Sequence, residues 1–216
     1  MIQTVLFDLD GTLTDSGLGI TKAVQYALKE MGYAVPPRES LFSFIGPPLH
    51  KSFQKYYAMD EETSVEAVRQ FRIYYNQLGG ILENEVYPGI PELLAALKNA
   101  GKRLMIATSK PQAAAEVVMR HFGLDEWVPE IIGGTDDPRR NTKGKVIAWA
   151  LREHGVDPET AVMVGDREHD IHGAAENGIR AIGVTWGYGD RPELEGAGAA
   201  ATFDKAEEVV NYILRG

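Results

Sequence analysis

Asp8 and Asp10 stand two residues apart, directly after the apolar run Val5-Leu6-Phe7 and before Gly11-Thr12. The run reads as a buried strand, and Gly11 frees the backbone at its end. Two carboxylates ending a buried strand are costly unless a cation, a hydrogen-bond donor or a pKa shift compensates them. One could attack as a nucleophile while the other moves a proton. The two could instead share a hard cation such as Mg²⁺. A plain Asp-Gly turn after a strand is the third reading.

Three further sites stand out, two of them directly after apolar runs. Thr108-Ser109-Lys110 comes after Leu104–Ala107. A hydroxyl and main-chain N–H groups at a strand–helix turn can hold phosphate oxygens. They can equally cap a helix, with Pro111 at its first position. Lys143 precedes the helical pattern Val146–His154. A cation at a helix start opposes the dipole, which suggests a task such as neutralising phosphate. Lys145 competes for that task; Lys143 is preferred because it stands before the helical pattern. In Gly165-Asp166-Arg167-Glu168-His169-Asp170, Asp166 ends the run Ala161–Val164 and Asp170 lies one helical turn on. His169 and His172 lack a third nitrogen or sulfur ligand at metal-site spacing, and are expected to be solvated or locally bonded.

The positioning elements follow from the pattern. The runs Val5–Phe7, Leu104–Ala107, Ile131–Ile132, Ala161–Val164 and Ala181–Val184 alternate with the helical stretches Ile90–Asn99, Gln112–His121 and Gly144–His154. Alternation of this kind predicts a Rossmann-like α/β core with a doubly wound parallel sheet. Ligands of such sheets bind beyond the carboxyl ends of the strands, so the four sites should meet in one crevice. Residues 16–86 break the alternation. They read as helices Ile20–Met31, Leu49–Tyr57 and Glu61–Leu78, the last ended by Gly79-Gly80. An insertion this long exceeds a crossover. It is expected to form a helical cap domain, with residues 1–15 and 87–216 forming the core. Asp15–Gly17 and Tyr87–Gly89 are its expected hinges. Trp186-Gly187-Tyr188-Gly189 either lines the crevice or packs on the core.

Composition narrows the setting. The 216 residues carry a net charge of −9, 44% hydrophobic residues and no cysteine. The acidic balance argues against binding nucleic acid polymers. Absence of cysteine excludes thiol catalysis and fits a reducing cytoplasm. No apolar stretch approaches membrane length, and the N-terminal residues lack the pattern of a secretory signal. A cytoplasmic protein, monomeric or homodimeric and acting on a small anion, is expected.

Together, Asp8-Leu9-Asp10-Gly11-Thr12-Leu13, Thr108-Ser109-Lys110, Lys143 and Gly165-Asp166-x-x-x-Asp170 make the chain resemble the haloacid dehalogenase-like superfamily of phosphohydrolases. The insertion is similar to that superfamily's cap of the first type. Phe44-Ile45-Gly46-Pro47-Pro48-Leu49 resembles a segment of its phosphoglycolate phosphatase and 5′-nucleotidase-like members. The resemblance implies that Asp8 is a nucleophile forming an aspartyl phosphate and that Asp10 is the acid and base. It implies Mg²⁺ held by Asp8, the main chain of Asp10 and Asp166, with Asp170 ordering its waters. Thr108, Ser109 and Lys143 would hold the phosphoryl group of a small phosphorylated metabolite. Gly46, Pro47 and Lys51 are the candidate substrate-selecting residues of the cap. Gly144 departs from the pattern, because many relatives carry proline there. Dehalogenases lack the second aspartate, so Asp10 favours phosphoester hydrolysis. A phosphosugar mutase on the same scaffold is the alternative, and a non-catalytic binding protein a more distant one.

Overall fold

The computed structural model describes residues 1–215. The chain divides into two compact units. One comprises Met1–Thr14 and the segment from Val86 onward, the other Asp15–Glu85.

In chain order, β1 (Thr4–Phe7) leads through β2 (Thr14–Asp15) into α1 (Gly17–Glu30), α2 (Leu49–Tyr57) and α3 (Glu61–Arg72). Return is through β3 (Glu85–Val86) to α4 (Ile90–Asn99), β4 (Arg103–Pro111), α5 (Gln112–His121) and β5 (Glu130–Gly134). Then come α6 (Lys143–Glu153), β6 (Ala161–Gly165), α7 (Glu168–Ala175), β7 (Arg180–Val184), α8 (Arg191–Gly196), β8 (Thr202–Phe203) and α9 (Ala206–Arg215).

Six strands form a parallel sheet in the order β5-β4-β1-β6-β7-β8. The chain builds outward from β1 through β4 to β5, then returns across α6 to the other side of β1. Strand order therefore reverses at β1, which opens a crevice beyond its carboxyl end. Leu6, Met105, Ala107, Ile132, Met163 and Ala181 face α6 and α7 in one buried cluster. The alternate positions Val5, Phe7, Leu104, Ile106, Val162 and Ile182 are buried as well and point the other way. Burial on both faces explains why these strands read as continuous apolar runs.

The helical unit has its own core. Phe44 packs edge-on against Phe53 with ring centroids 5.0 Å apart. Lys22 of α1 pairs with Glu83 at 2.7 Å, and the Tyr74 hydroxyl approaches the same carboxylate at 3.2 Å. Asp60 caps α3 by accepting from the Thr63 N–H at 2.8 Å. The long third helix expected over Glu61–Leu78 is α3 continued by a π-helical turn at Ile73–Gln77. The connections to the other unit pair as the β2–β3 ladder.

One local expectation is corrected. Pro111 is not the first residue of a helix: β4 runs through Thr108–Lys110 and ends on Pro111, whose ψ of 137° is extended. No cap is therefore required of Thr108 or Ser109. Strands β2, β3 and β8, of two residues each, show no period of their own.

At the end of the sheet away from the crevice, Arg103 of β4 donates to both oxygens of Glu130 of β5 at 2.8 and 2.6 Å. Its Nη1 also donates to the His154 carbonyl at 2.8 Å. Those Arg103 hydrogen bonds hold the Glu130 carboxyl below its ordinary value of 4.5. A depressed carboxylate stabilises the fold above its unfolded pKa, and that stability is lost as pH falls through the folded value. Glu130→Gln should cost about 1–2 kcal/mol at pH 7 and flatten the loss of stability below about pH 4.5. Urea melts across pH 3–7 measure both effects.

Candidate active site

The site begins with the turn that follows β1. The Leu9 carbonyl accepts from the N–H groups of Thr12, Leu13 and Thr14 at 3.2, 2.9 and 3.0 Å. Gly11 sits at φ +87°, and a Cβ there would lie 2.2 Å from Asp166 Oδ2. Only glycine lets this turn close against β6. Asp8, whose N–H bonds the Val164 carbonyl at 2.9 Å, is thereby buried at the end of the central strand.

Around it the structure assembles Asp166 and Asp170. Oxygens of Asp8, Asp166 and Asp170 lie within 4.8 Å of one another. Asp170 folds back from α7, where its Oδ2 accepts from the Arg167 N–H at 3.1 Å. Asp166 accepts from the Thr12 hydroxyl at 3.1 Å and the Tyr188 N–H at 2.9 Å. Trp186 braces the same turn by donating its indole N–H to the Thr12 carbonyl at 3.0 Å. The Trp186–Tyr188 segment thus supports the site, a role its sequence did not reveal.

Lys143, the first residue of α6, is buried and reaches into the cluster. Its Nζ lies 2.8 Å from Asp8 Oδ1, 2.8 Å from Asp170 Oδ1 and 3.0 Å from the Ala107 carbonyl. Lys145 is exposed and bonds Asn141 instead, so it is Lys143 that meets Asp8. The stem of Lys143 runs over Gly173, where a Cβ would come within 2.9 Å of Lys143 Cγ and of the Gly144 main-chain nitrogen. The Gly144 Cα lies against the same residue, so the close crossing of α6 and α7 clears a slot for the lysine.

Electrostatically the cluster is unbalanced. Burial, followed by the charges of Asp170 and Asp8, raises Asp166 well above the usual carboxylate range. Burial lifts Asp170 to about 6, with Lys143 pulling it down and Asp8 pushing it up. For Lys143, burial acts to lower the ammonium, but Asp170 and Asp8 outweigh it and hold it above the ordinary lysine value. Apart from the Lys143 ammonium, Asp8 Oδ1 and Asp170 Oδ1 meet no donor. Three buried carboxylates facing one ammonium leave negative charge uncompensated. An all-carboxylate donor set with such oxygens fits a hard divalent cation.

Asp10 takes a separate position. Its two carboxylate oxygens lie 3.0 and 2.9 Å from Lys110 Nζ, and its side chain belongs to no cluster with the other three aspartates. Lys110 was visible in Thr108-Ser109-Lys110, yet nothing in the sequence paired it with Asp10. Thr108 is buried beside them, its Oγ1 accepting from the Lys110 N–H at 3.2 Å. Ser109 is half-buried in the same strand end. His169 is half-buried, and burial lowers its pKa; His172 is exposed. In the helical unit, Gly46 at φ +102° and Pro47 form the turn before α2, and Lys51 is exposed in its first turn.

The chain matches the model of the haloacid dehalogenase-like hydrolases over residues 5–184. A 5′-nucleotidase of Pseudomonas aeruginosa is 44% identical over 88% of this chain and 86% of its own length. The tyrosine-protein kinase PtkA of Mycobacterium tuberculosis is 40% identical over 96% of this chain and 72% of its own. The crystal structure of a predicted phosphatase from Clostridium acetobutylicum covers 100% of both chains, with 42% identity and a TM-score of 0.95. The chain therefore belongs to the haloacid dehalogenase-like hydrolase family. Within that family it is an enzyme of the phosphatase type.

Gly173→Ala tests the lysine slot. Alanine favours a helix over glycine by about 1 kcal/mol, but its methyl would press on Lys143 and on the main chain of Gly144. A net loss of about 1–3 kcal/mol is expected, together with a larger loss of phosphatase activity than an alanine elsewhere on α7 produces. Thermal melts and an aryl phosphate assay measure the two.

Proposed function

We propose that the chain hydrolyses small phosphomonoesters in two steps through an aspartyl phosphate on Asp8. The observation that carries this reading is the divergence of the two aspartates. Asp8 lies in the carboxylate cluster against Lys143, whereas Asp10 is turned to Lys110.

In the first step an Asp8 oxygen attacks phosphorus and the bond to the leaving oxygen breaks. Asp10 gives that oxygen a proton, so the product departs as an alcohol. In the second step a water oxygen attacks the same phosphorus and gives its proton to Asp10. The bond between the Asp8 oxygen and phosphorus breaks, inorganic phosphate leaves, Asp8 is again a carboxylate and Asp10 is again protonated. Thr108 and the Ser109 N–H bind the phosphoryl oxygens, and Lys143 sets positive charge where the transferring group gathers negative charge.

Mg²⁺ is the cofactor of this proposal, held by Asp8, Asp166 and the Asp10 carbonyl, with Asp170 beside them. When bound it offsets the charge of the cluster and of the phosphate. The similarity to a protein named a tyrosine kinase supports phosphoryl transfer as the chemistry shared by these motifs. Asp10 could activate either water or a sugar hydroxyl, and the likeness to proteins named 5′-nucleotidase and phosphatase favours water. The 44% identity to a protein named a 5′-nucleotidase favours nucleoside monophosphates as substrates, with phosphoglycolate next.

Asp8→Asn should reduce turnover of an aryl phosphate, nucleoside 5′-monophosphates and phosphoglycolate by about 10³-fold or more. Full activity of that variant would end the nucleophile assignment. Phosphate release without any bisphosphate intermediate would exclude a mutase.

Mg²⁺ at a hundredfold excess over its Kd should stabilise the protein by about 2.7 kcal/mol, or roughly 5–10 °C in Tm. Asp166→Asn should remove that dependence. Thermal melts with and without the ion, without any substrate, provide the readout.

A further inference from the structure

We propose that Lys110 is the positioning residue of Asp10, holding its carboxyl group where it can protonate the leaving oxygen. The proposal rests on the acid–base reading of Asp10 given above.

Register creates the pair. In the parallel ladder of β1 and β4, Phe7 lies opposite Ile106. Asp10 stands three residues beyond the first, in the turn after β1, and Lys110 four beyond the second, at the register shift that β4 makes between Thr108 and Pro111. One ammonium meets both oxygens of one carboxylate, at 3.0 and 2.9 Å. A two-oxygen contact restrains the plane of the carboxyl group as well as its location, which a single hydrogen bond does not.

The burial of the pair argues against a purely structural purpose. The Lys110 side chain is 3% exposed and that of Asp10 14%. Burying an ammonium and a carboxylate at the end of a strand is a weak source of stability, because desolvation offsets most of the attraction. Two apolar residues of similar volume in place of the pair would fill that space at less cost. What the pair supplies instead is orientation: general acid catalysis requires the proton within hydrogen-bond reach of the reacting oxygen. Lys110 itself touches no reacting atom in this scheme. Its N–H also fixes Thr108 Oγ1 at 3.2 Å, so one strand end sets both a phosphate-binding hydroxyl and the placement of the acid.

Leaving groups separate positioning from a general loss of structure. A 4-nitrophenolate departs without a proton, whereas an alkoxide needs one. Lys110→Met should lower kcat/KM for an alkyl phosphomonoester by tenfold or more and leave kcat/KM for 4-nitrophenyl phosphate within about threefold. The second step also needs Asp10, so the variant should show a burst of 4-nitrophenolate and accumulate phosphoenzyme. Lys110→Arg should retain the alkyl activity better than Lys110→Met. Equal loss on both substrates would overturn the proposal, as would a rise in KM for both with weaker inhibition by inorganic phosphate. If the methionine variant fails to fold, Lys110→Gln carries the same test and the same outcomes. Asp10→Asn is the control. Selective loss there but not at Lys110 would remove only the positioning role. Selective loss at neither would remove the acid–base reading of Asp10 as well.

Discussion

Three carboxylates, Asp8, Asp166 and Asp170, are buried around one ammonium, and the rest of the core is arranged to make that tolerable. Burial raises both Asp166 and Asp170, and the charge of Asp8 adds to each. The compensation comes from separate places: the Thr12 hydroxyl, the Tyr188 N–H, the Arg167 N–H and Lys143. Each must arrive within a fraction of an ångström, since an unpaired buried charge is among the most expensive defects in a fold. A site of this kind cannot be carried by one loop. It needs several rigid strand ends converging on one point.

The reversal of strand order at β1 meets that need. With β4 on one side and β6 on the other, three strand ends and the start of α6 open toward the same place. Residues far apart in the chain are then fixed by hydrogen-bond register rather than by local flexibility. The ladder of β1 with β6 brings Asp8 beside Asp166, and the ladder of β1 with β4 brings Asp10 near Lys110. The two aspartates diverge because their neighbours on the sheet differ.

Much of this was legible in the sequence, for identifiable reasons. Strands buried on both faces left runs such as Val162-Met163-Val164, and polar residues at the ends of such runs stood out because burial there needs a cause. Asp8, Thr108 and Asp166 were found in that way, and Lys143 as a cation at a helix start. Lys110 was read only as part of a turn, because its partner is set by strand register, which no local pattern encodes. The Gly173 slot was hidden for a related reason: a helical glycine shows its purpose only when the crossing helix is known. Thr12 and Trp186 act through single long-range hydrogen bonds, which leave no periodic trace. Pro111 was misassigned because proline suits both the end of a strand and the start of a helix, and here β4 continued past the expected turn.

The β2–β3 ladder has a consequence for how such a chain can change over generations. Thr14–Asp15 and Glu85–Val86 pair, so the two ends of the inserted segment lie together. The entropy of closing a loop grows only with the logarithm of its length. Lengthening, shortening or exchanging the segment between those strands therefore perturbs the β1–β4 register little. Selection can rework the one part of the chain while the buried charges in the other stay under the same geometric constraint.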